Sequence, residues 1–304
     1  VLVLLAQRFQ IHEENKLKVL ITGAGGFIGS HLVNKCIEDG HYVIGLDKKP
    51  LDKWIVGRRK CDYRIPSTTV EEMEKFYIEF DLCFHLAAES RIQPSFRKPL
   101  EYVRSNVLGT SVVLEMATRQ KARVVYAGSS TADDDPEKNV YAMSKWQGEE
   151  LCKTWRKCFN ADVGIARFYN VYGNRHITTG AYATVIGIWE RQWVNCEPLT
   201  VTGLGTQKRD FTAVEDIVDG LAAIAERGGN GEFSLGTGEN HALVDIAKMF
   251  VDYDEIEFIP RPPGESEVTL ANISLNKEVL GWEAKRKLVD YIEEFKRIKP
   301  PRSQ

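Results

Sequence analysis

The sequence predicts an α/β fold, a doubly wound parallel sheet with a smaller mixed α/β lobe laid over it. Three observations predict it. From residue 17 onward the hydrophobic pattern alternates between strand and helix periods, as in βαβ units. A glycine-rich turn joins the first strand to the first helix. After residue 170 the alternation gives way to turn residues with interspersed aromatics, which marks the second lobe.

The elements follow in order. "KVLITGA" (18–24) is a short apolar run ending in glycine, and "GSHLVNKCIEDG" (29–40) has helical spacing at Leu32, Val33, Cys36 and Ile37. Gly40 is a natural stop for that helix. "YVIGLD" (42–47) and "DLCFHLAA" (81–88) read as strands. "PLEYVRSNVLGTSVVLEMAT" (99–118) is helical and apolar on more than one side. "RVVYAGSS" (123–130) is a strand, 141–158 a helix, and "DVGIARFYN" (162–170) again a strand. Farther on, "VEDIVDGLAAIAER" (214–227) is helical and "GEFSLGTG" (231–238) extended. The tail, 240–304, mixes short helices with the loop "IPRPPGE" (259–265).

Composition bounds the function. Hydrophobic content of 43% and charged content of 27% are those of a globular protein with a sizeable core. A net charge of -3 gives no basic field for nucleic acid, and "GRRK" (57–60) reads as a solvated loop. Cys36, Cys61, Cys83, Cys152, Cys158 and Cys196 show no C-x-x-C spacing. They are expected as buried free thiols in a reducing compartment, without a zinc site. No metal is expected, and Asp133, Asp134 and Asp135 read as a solvated turn. "VLVLLAQRF" is too short to span a bilayer and lacks the basic n-region and small-residue cleavage site of a signal peptide. The chain does not begin with Met, so residues 1–15 are expected to belong to a truncated or processed start. A cytoplasmic location is expected.

The loop "TGAGGFIG" (22–29) carries glycines at 23, 26 and 29 between strand and helix. Gly23 allows the tight turn, Gly26 lets backbone approach a pyrophosphate, and Gly29 lets helix and strand pack closely. The helix start adds free N–H groups and a positive dipole end. This context, more than the glycines alone, predicts a dinucleotide site. Asp47 ends the second strand, where a carboxylate can bond the adenosine ribose and repel a 2′-phosphate. NAD is therefore favoured over NADP, although Lys48 and Lys49 soften the repulsion.

Tyr141 and Lys145 stand four apart at the start of a helix and share a face. A phenol loses its proton near pH ~10. A nearby ammonium favours the phenolate and makes a usable base. A hydroxyl from Ser129, Ser130 or Thr131 on the preceding strand could bond the same substrate oxygen.

These residues resemble a known family. "TGAGGFIG", "HLAA" (85–88), Asn106 in "NVLGT", "SST" (129–131) and "YAMSK" resemble the extended short-chain dehydrogenase/reductases. So do "RFYNVYG" (167–173), "KRDFTAVEDIVDG" (208–220) and "LGW" (280–282). Within that group the chain is similar to the NAD-dependent nucleotide-sugar epimerases and dehydratases. The block "AAESRIQPSFRKPLEYVRSNVLGT" is similar to sugar 4-epimerases.

The resemblance implies a Rossmann domain over 16–168, rejoined by 210–237, and a nucleotide-sugar lobe over 169–209 and 238–304. It implies that Gly23, Gly26, Phe27, Ile28 and Gly29 hold the pyrophosphate, Asp47 and Lys48 border the adenosine ribose, and Asp62 and Tyr63 flank adenine. Leu86, Ala87 and Ala88 would line the cofactor cleft, with Asn106 nearby. Thr131 would fill the catalytic Ser/Thr position, Tyr141 would be the base and Lys145 its partner, both beside the cofactor. Tyr169 would pack on the nicotinamide side. Asn170 and Arg209 would contact the nucleotide sugar, with Arg261 also near its diphosphate. The implied activity is C4 epimerisation of a UDP-hexose through a 4-keto intermediate. A 4,6-dehydratase, a decarboxylase and a non-catalytic NAD-binding protein are the alternatives.

The chain departs from the family pattern twice. Only nine residues separate Thr131 from Tyr141, so a wall of the sugar pocket is missing or rebuilt. "RPPGE" carries an extra proline after Arg261. Dehydratases of the group usually show Thr-Asp-Glu where this chain has Thr131, Ala132 and Asp133, which argues against dehydration. His85 reads as a packed strand end and His176 as surface. Val103, Val107, Val112, Val113 and Met116 do not fit one face, and Trp146 and Trp155 enlarge the next helix. A homodimer through helices 100–118 and 141–158 is expected.

Overall fold

A computed structural model describes residues 16–48, 61–64 and 78–301, with backbone only at 61–64, 132 and 133. The expectations for residues 1–15 and 57–60, and for the side chains of Cys61, Asp62 and Tyr63, lie outside the described residues.

Seven strands form one parallel sheet: β1 (Lys18–Thr22), β2 (Tyr42–Leu46), β3 (Cys61–Arg64), β4 (Leu82–His85), β5 (Arg123–Ser129), β6 (Val163–Phe168) and β7 (Glu232–Leu235). Their order is β7-β6-β5-β4-β1-β2-β3, and every pairing is parallel. Chain order reverses between β1 and β4. The crevice outside the carboxyl ends of these strands is where a doubly wound sheet receives a ligand.

The helices are α1 (Phe27–Glu38), α2 (Ile92–Arg97), α3 (Gly109–Gln120), α4 (Val140–Phe159), α5 (Val185–Val194), α6 (Val214–Arg227), α7 (Leu243–Phe250) and α8 (Leu288–Ile298). α1 and α6 cover one face, burying Leu32, Val33, Ile217 and Leu221 against Val19 and Ile21. α3 and α4 cover the other, burying Val113, Leu114 and Cys152 against Leu20, Val124 and Ile165. Successive strand residues serve opposite faces, so burial on both sides explains why the strands read as unbroken apolar runs.

The expected single helix at 99–118 is broken. A short turn at Pro99–Tyr102 and a π-helical turn at Val103–Leu108 precede α3. The π turn carries the fully buried Asn106 inward, a device common at functional sites.

A separate core of Tyr172, Ile186, Trp189, Val201, Ile246 and Ile292 joins α5, α7 and α8 in the second lobe. From the tail, Leu280 and Trp282 return to the α1–α6 face. Trp282 Nε1 donates to Asp216 O at 3.1 Å. Of the described cysteines, Cys36, Cys83 and Cys152 are buried and free, but Cys158 and Cys196 are exposed, lying at the end of α4 and just beyond α5. Among the described residues no helix is long and apolar enough to cross a membrane.

Candidate active site

The glycine loop closes on itself through backbone. Gly23 adopts φ +75°, and its N–H donates to Leu46 O at 2.7 Å. A Cβ on Gly23 would stand 2.8 Å from Ala87 N, and one on Gly29 would stand 2.0 Å from Gly23 O. Neither position has room for a side chain. Gly26, the cap of α1, offers no side-chain bond to the helix start. The first-turn N–H groups therefore face the crevice without an internal acceptor. Asp47 Oδ2 accepts from Gly25 N–H at 2.9 Å, so the carboxylate at the end of β2 is tied to this same loop. The donors, the positive helix end and the carboxylate fit a dinucleotide.

Across the crevice Leu86, Ala87 and Ala88 are half-buried. Ala87 N–H donates to Thr22 Oγ1 at 3.1 Å, which holds this wall to β1. Asn106 exchanges bonds with the Glu89 backbone at 2.7 and 2.9 Å and donates to Ser144 Oγ at 2.9 Å. It braces the wall against α4. Lys48 reaches over to form an ion pair with Glu89, whose other oxygen accepts from Tyr182 OH at 2.7 Å. Phe27 lies edge-on to His31 and to His176. Ile28 packs onto the α1–α6 core.

Asn139 starts α4 by accepting from Ala142 N–H at 2.8 Å. Tyr141 and Lys145 thereby occupy its first two turns. Tyr141 OH donates to Ser129 Oγ at 3.2 Å, and Thr131 Oγ1 donates to the same oxygen at 3.0 Å. Ser129 is thus the hydroxyl in direct contact with the tyrosine. Thr131, expected in that place, acts one bond farther away, because Ser130–Asp133 turns into a 3₁₀ helix as β5 ends.

Lys145 Nζ donates to Ala127 O at 2.5 Å and lies 4.3 Å from the Tyr126 ring centre. Burial pulls its pKa down to about 8. Burial raises that of Tyr141, while the Ser129 hydrogen bond and the Arg91 charge act to lower it. The groups that favour the phenolate here are therefore Ser129 and Arg91, with the lysine bonded to backbone.

A cavity of about 380 Å³ opens at Ser130, between Ser129 and Thr131 in the chain, and is further lined by Asp134, Lys138, Tyr169 and residues 267–270. The short 132–140 segment rebuilds its wall with a second 3₁₀ turn, Pro136–Lys138. Asp134 pairs with Lys138 at 2.5 Å and accepts from Ser266 Oγ. Tyr169 is buried, with its hydroxyl 3.3 Å from Ser234 Oγ. Asn170, at φ +22°, donates to Asp210 O and Thr269 Oγ1, both at 3.0 Å. Arg209 donates to Glu267 O at 3.2 Å and lies 3.9 Å from Glu265. Arg261 pairs with Glu267 and donates to Glu265 O at 3.0 Å. The two arginines converge on one segment.

The expectation that His176 is a surface residue is overturned. It is buried, 2.8 Å from Glu190, whose other oxygen accepts from Tyr291 OH at 2.7 Å. The aromatic spacing of the second lobe had no period that could reveal this. His85 is a packed strand end, held between Thr22 at 2.7 Å and Thr110 at 3.0 Å. Among the described residues no acidic, His or Cys cluster could hold a metal.

A sequence profile of the NAD dependent epimerase/dehydratase family matches residues 19–236. UDP-glucuronic acid decarboxylase 6 of Arabidopsis thaliana is 31% identical, covering 90% of this chain and 86% of that protein. UDP-glucuronic acid decarboxylase 1 of Danio rerio is 29% identical, covering 90% and 70%. Of solved structures, UDP-glucose 4-epimerase of Thermotoga maritima with UDP-glucose superposes with a TM-score of 0.84 at 26% identity, over 92% of this chain and 99% of that one. UDP-glucuronic acid 4-epimerase of Bacillus cereus with UDP-glucuronic acid and NAD gives 0.80 at 26%, over 93% and 99%. With its Rossmann-type sheet, the chain belongs to the NAD-dependent epimerase/dehydratase family, and its cofactor is NAD.

Proposed function

We propose that the protein is a 4-epimerase of a UDP-linked six-carbon sugar. One observation carries this reading. The Tyr141–Ser129–Thr131 hydroxyl chain flanks Ser130, which lines the cavity, and the residue after Thr131 is Ala132. Bound NAD supplies reversible hydride transfer at C4. The residues supply the rest. Tyr141 takes the proton of O4, Ser129 bonds that oxygen, and Thr131 holds Ser129 in place. Arg209 and Arg261 hold the diphosphate, for which a guanidinium fork is suited. Asn170 and Tyr169 border the sugar, which turns over before hydrogen returns to the opposite face of C4.

The cofactor residues proposed are Gly23, Gly26, Phe27, Ile28, Gly29, Asp47, Lys48, Asp62, Tyr63, Leu86, Ala87, Ala88, Asn106 and Lys145. The division into 16–168 with 210–237, and 169–209 with 238–304, belongs to the same proposal. So does a homodimer, supported by the exposed Leu100, Val103 and Leu108 in the turns before α3 and by the exposed Trp146 on α4. The buried free thiols of Cys36, Cys83 and Cys152 support the proposal of a reducing, cytoplasmic setting.

A second reading is decarboxylation of a UDP-hexuronate, supported by the curated relatives. Purified protein with NAD should be given UDP-glucose, UDP-galactose, UDP-glucuronate and UDP-galacturonate. Interconversion of 4-epimers without loss of mass is the expected result. Release of carbon dioxide from a hexuronate would favour the decarboxylase, and no turnover of any of the four would overturn both readings.

A further inference from the structure

Arg91 lies just past the 86–88 wall and caps α2. It is a non-glycine residue at φ +79°, a backbone state that the surroundings must enforce. Tyr102 enforces it, donating its hydroxyl to Ser90 O at 2.7 Å and to Arg91 O at 2.9 Å. The guanidinium is fixed as well, since Nε donates to Tyr182 O at 3.2 Å. The Tyr102 ring meets the Tyr141 ring edge-on at 6.2 Å. One tyrosine therefore locks Arg91 in place and packs against the proposed base.

Among the described residues no carboxylate pairs with Arg91, and the neighbouring Glu89 is taken by Lys48 and Tyr182. Burial lowers its pKa, with Tyr141 and Tyr102 acting in the opposite direction. Arg209 and Arg261 differ, because each has a glutamate beside it. A desolvated guanidinium with its Nη fork uncommitted suits a planar anion that arrives with the ligand.

We propose that Arg91 receives the C6 carboxylate of the sugar, so that the substrate class is a nucleotide-linked hexuronate. This rests on the reading that O4 sits at Tyr141. C6 is bonded to C5, the neighbour of C4, so a carboxylate on C6 stands within reach of a cation that lies close enough to act on Tyr141. The alternative role, an electrostatic pull on Tyr141 alone, would act on every sugar equally.

Calorimetry on the NAD-loaded protein separates the two, with UDP-glucuronate and UDP-glucose as probes for unmodified protein, Arg91→Gln and Arg91→Lys. NAD affinity of each variant reports on folding. Unmodified protein should bind UDP-glucuronate more tightly. Arg91→Gln should weaken UDP-glucuronate by about tenfold to hundredfold, the range of a lost charge-assisted pair, and UDP-glucose by under about threefold. Arg91→Lys should restore part of the difference. Equal weakening of both sugars, or tighter binding of UDP-glucose to unmodified protein, would overturn the assignment while leaving the 4-epimerase reading intact. If neither sugar binds, both fall.

Discussion

At the glycine loop the donors are backbone N–H groups: Gly23 to Leu46 O, Gly26 to Gly23 O, and Gly25 to the Asp47 carboxylate. At the sugar cavity they are side chains drawn from distant segments. Asp134 meets Ser266, Asn170 meets Thr269, and Arg261 meets Glu267. The first construction depends on glycine at positions 23 and 29, where a Cβ would meet backbone atoms. It changes little without failing. The second is a set of polar pairs that can be exchanged one at a time. The cofactor half is therefore the more constrained of the two, while the sugar half is open to change one pair at a time.

The largest effect should come at the junction. Tyr141→Phe removes the base and leaves the loop whole, so kcat should fall by about 10²–10⁴ while NAD titration stays unchanged. Near-normal kcat would reduce Tyr141 and Lys145 to a helix start.

Next is the backbone half. Gly29→Ala places a Cβ where Gly23 O already stands, so the loop must open. NAD affinity should fall by at least about tenfold, measured by calorimetry. Unchanged affinity would mean that the loop is not the cradle. On the other half, Asp134→Asn releases Lys138 and loosens Ser266. It should raise KM for the sugar by up to about tenfold and leave NAD binding alone. An equal change in both affinities would erase the distinction between the halves.

An effect on stability, not on the site, lies beneath both. Burial holds the His85 pKa down to about 3, against 6.5 in the unfolded chain. Between these values the unfolded chain binds the extra proton. The contribution to stability is therefore whole above pH ~6.5 and is lost as pH falls toward the folded value. From about pH 7 to about pH 5 the loss is roughly 2 kcal/mol. His85→Gln should remove that share of the pH dependence in urea unfolding. An unchanged slope would place the proton elsewhere.

The same contrast decides what could be read from sequence. Strand and helix periods, the three glycines, Asp47 and the Tyr141–Lys145 spacing are local patterns, and local patterns survive in one dimension. The choice among Ser129, Ser130 and Thr131 depended on where β5 turns into a 3₁₀ helix, a matter of one or two residues. The Asp134–Ser266 pair spans 132 positions and carries no periodic signal. Arg91 gave none either, because its role depends on a positive φ enforced by Tyr102. His176 was read as surface because a loop residue's partners, here Glu190 and Tyr291, cannot be found by spacing.

The fate of hydrogen at carbon tests the central claim most directly. Purified protein with NAD should convert its UDP-sugar in deuterium oxide, with the product examined by mass spectrometry and NMR. In a 4-epimerase the carbon-bound hydrogen leaves C4 and returns to C4 without meeting solvent. Only the proton that passes through Tyr141 exchanges, and it resides on oxygen. The account predicts a 4-epimer with no carbon-bound deuterium. Deuterium at C5 or C3, or a product that has lost carbon dioxide or water, would contradict it.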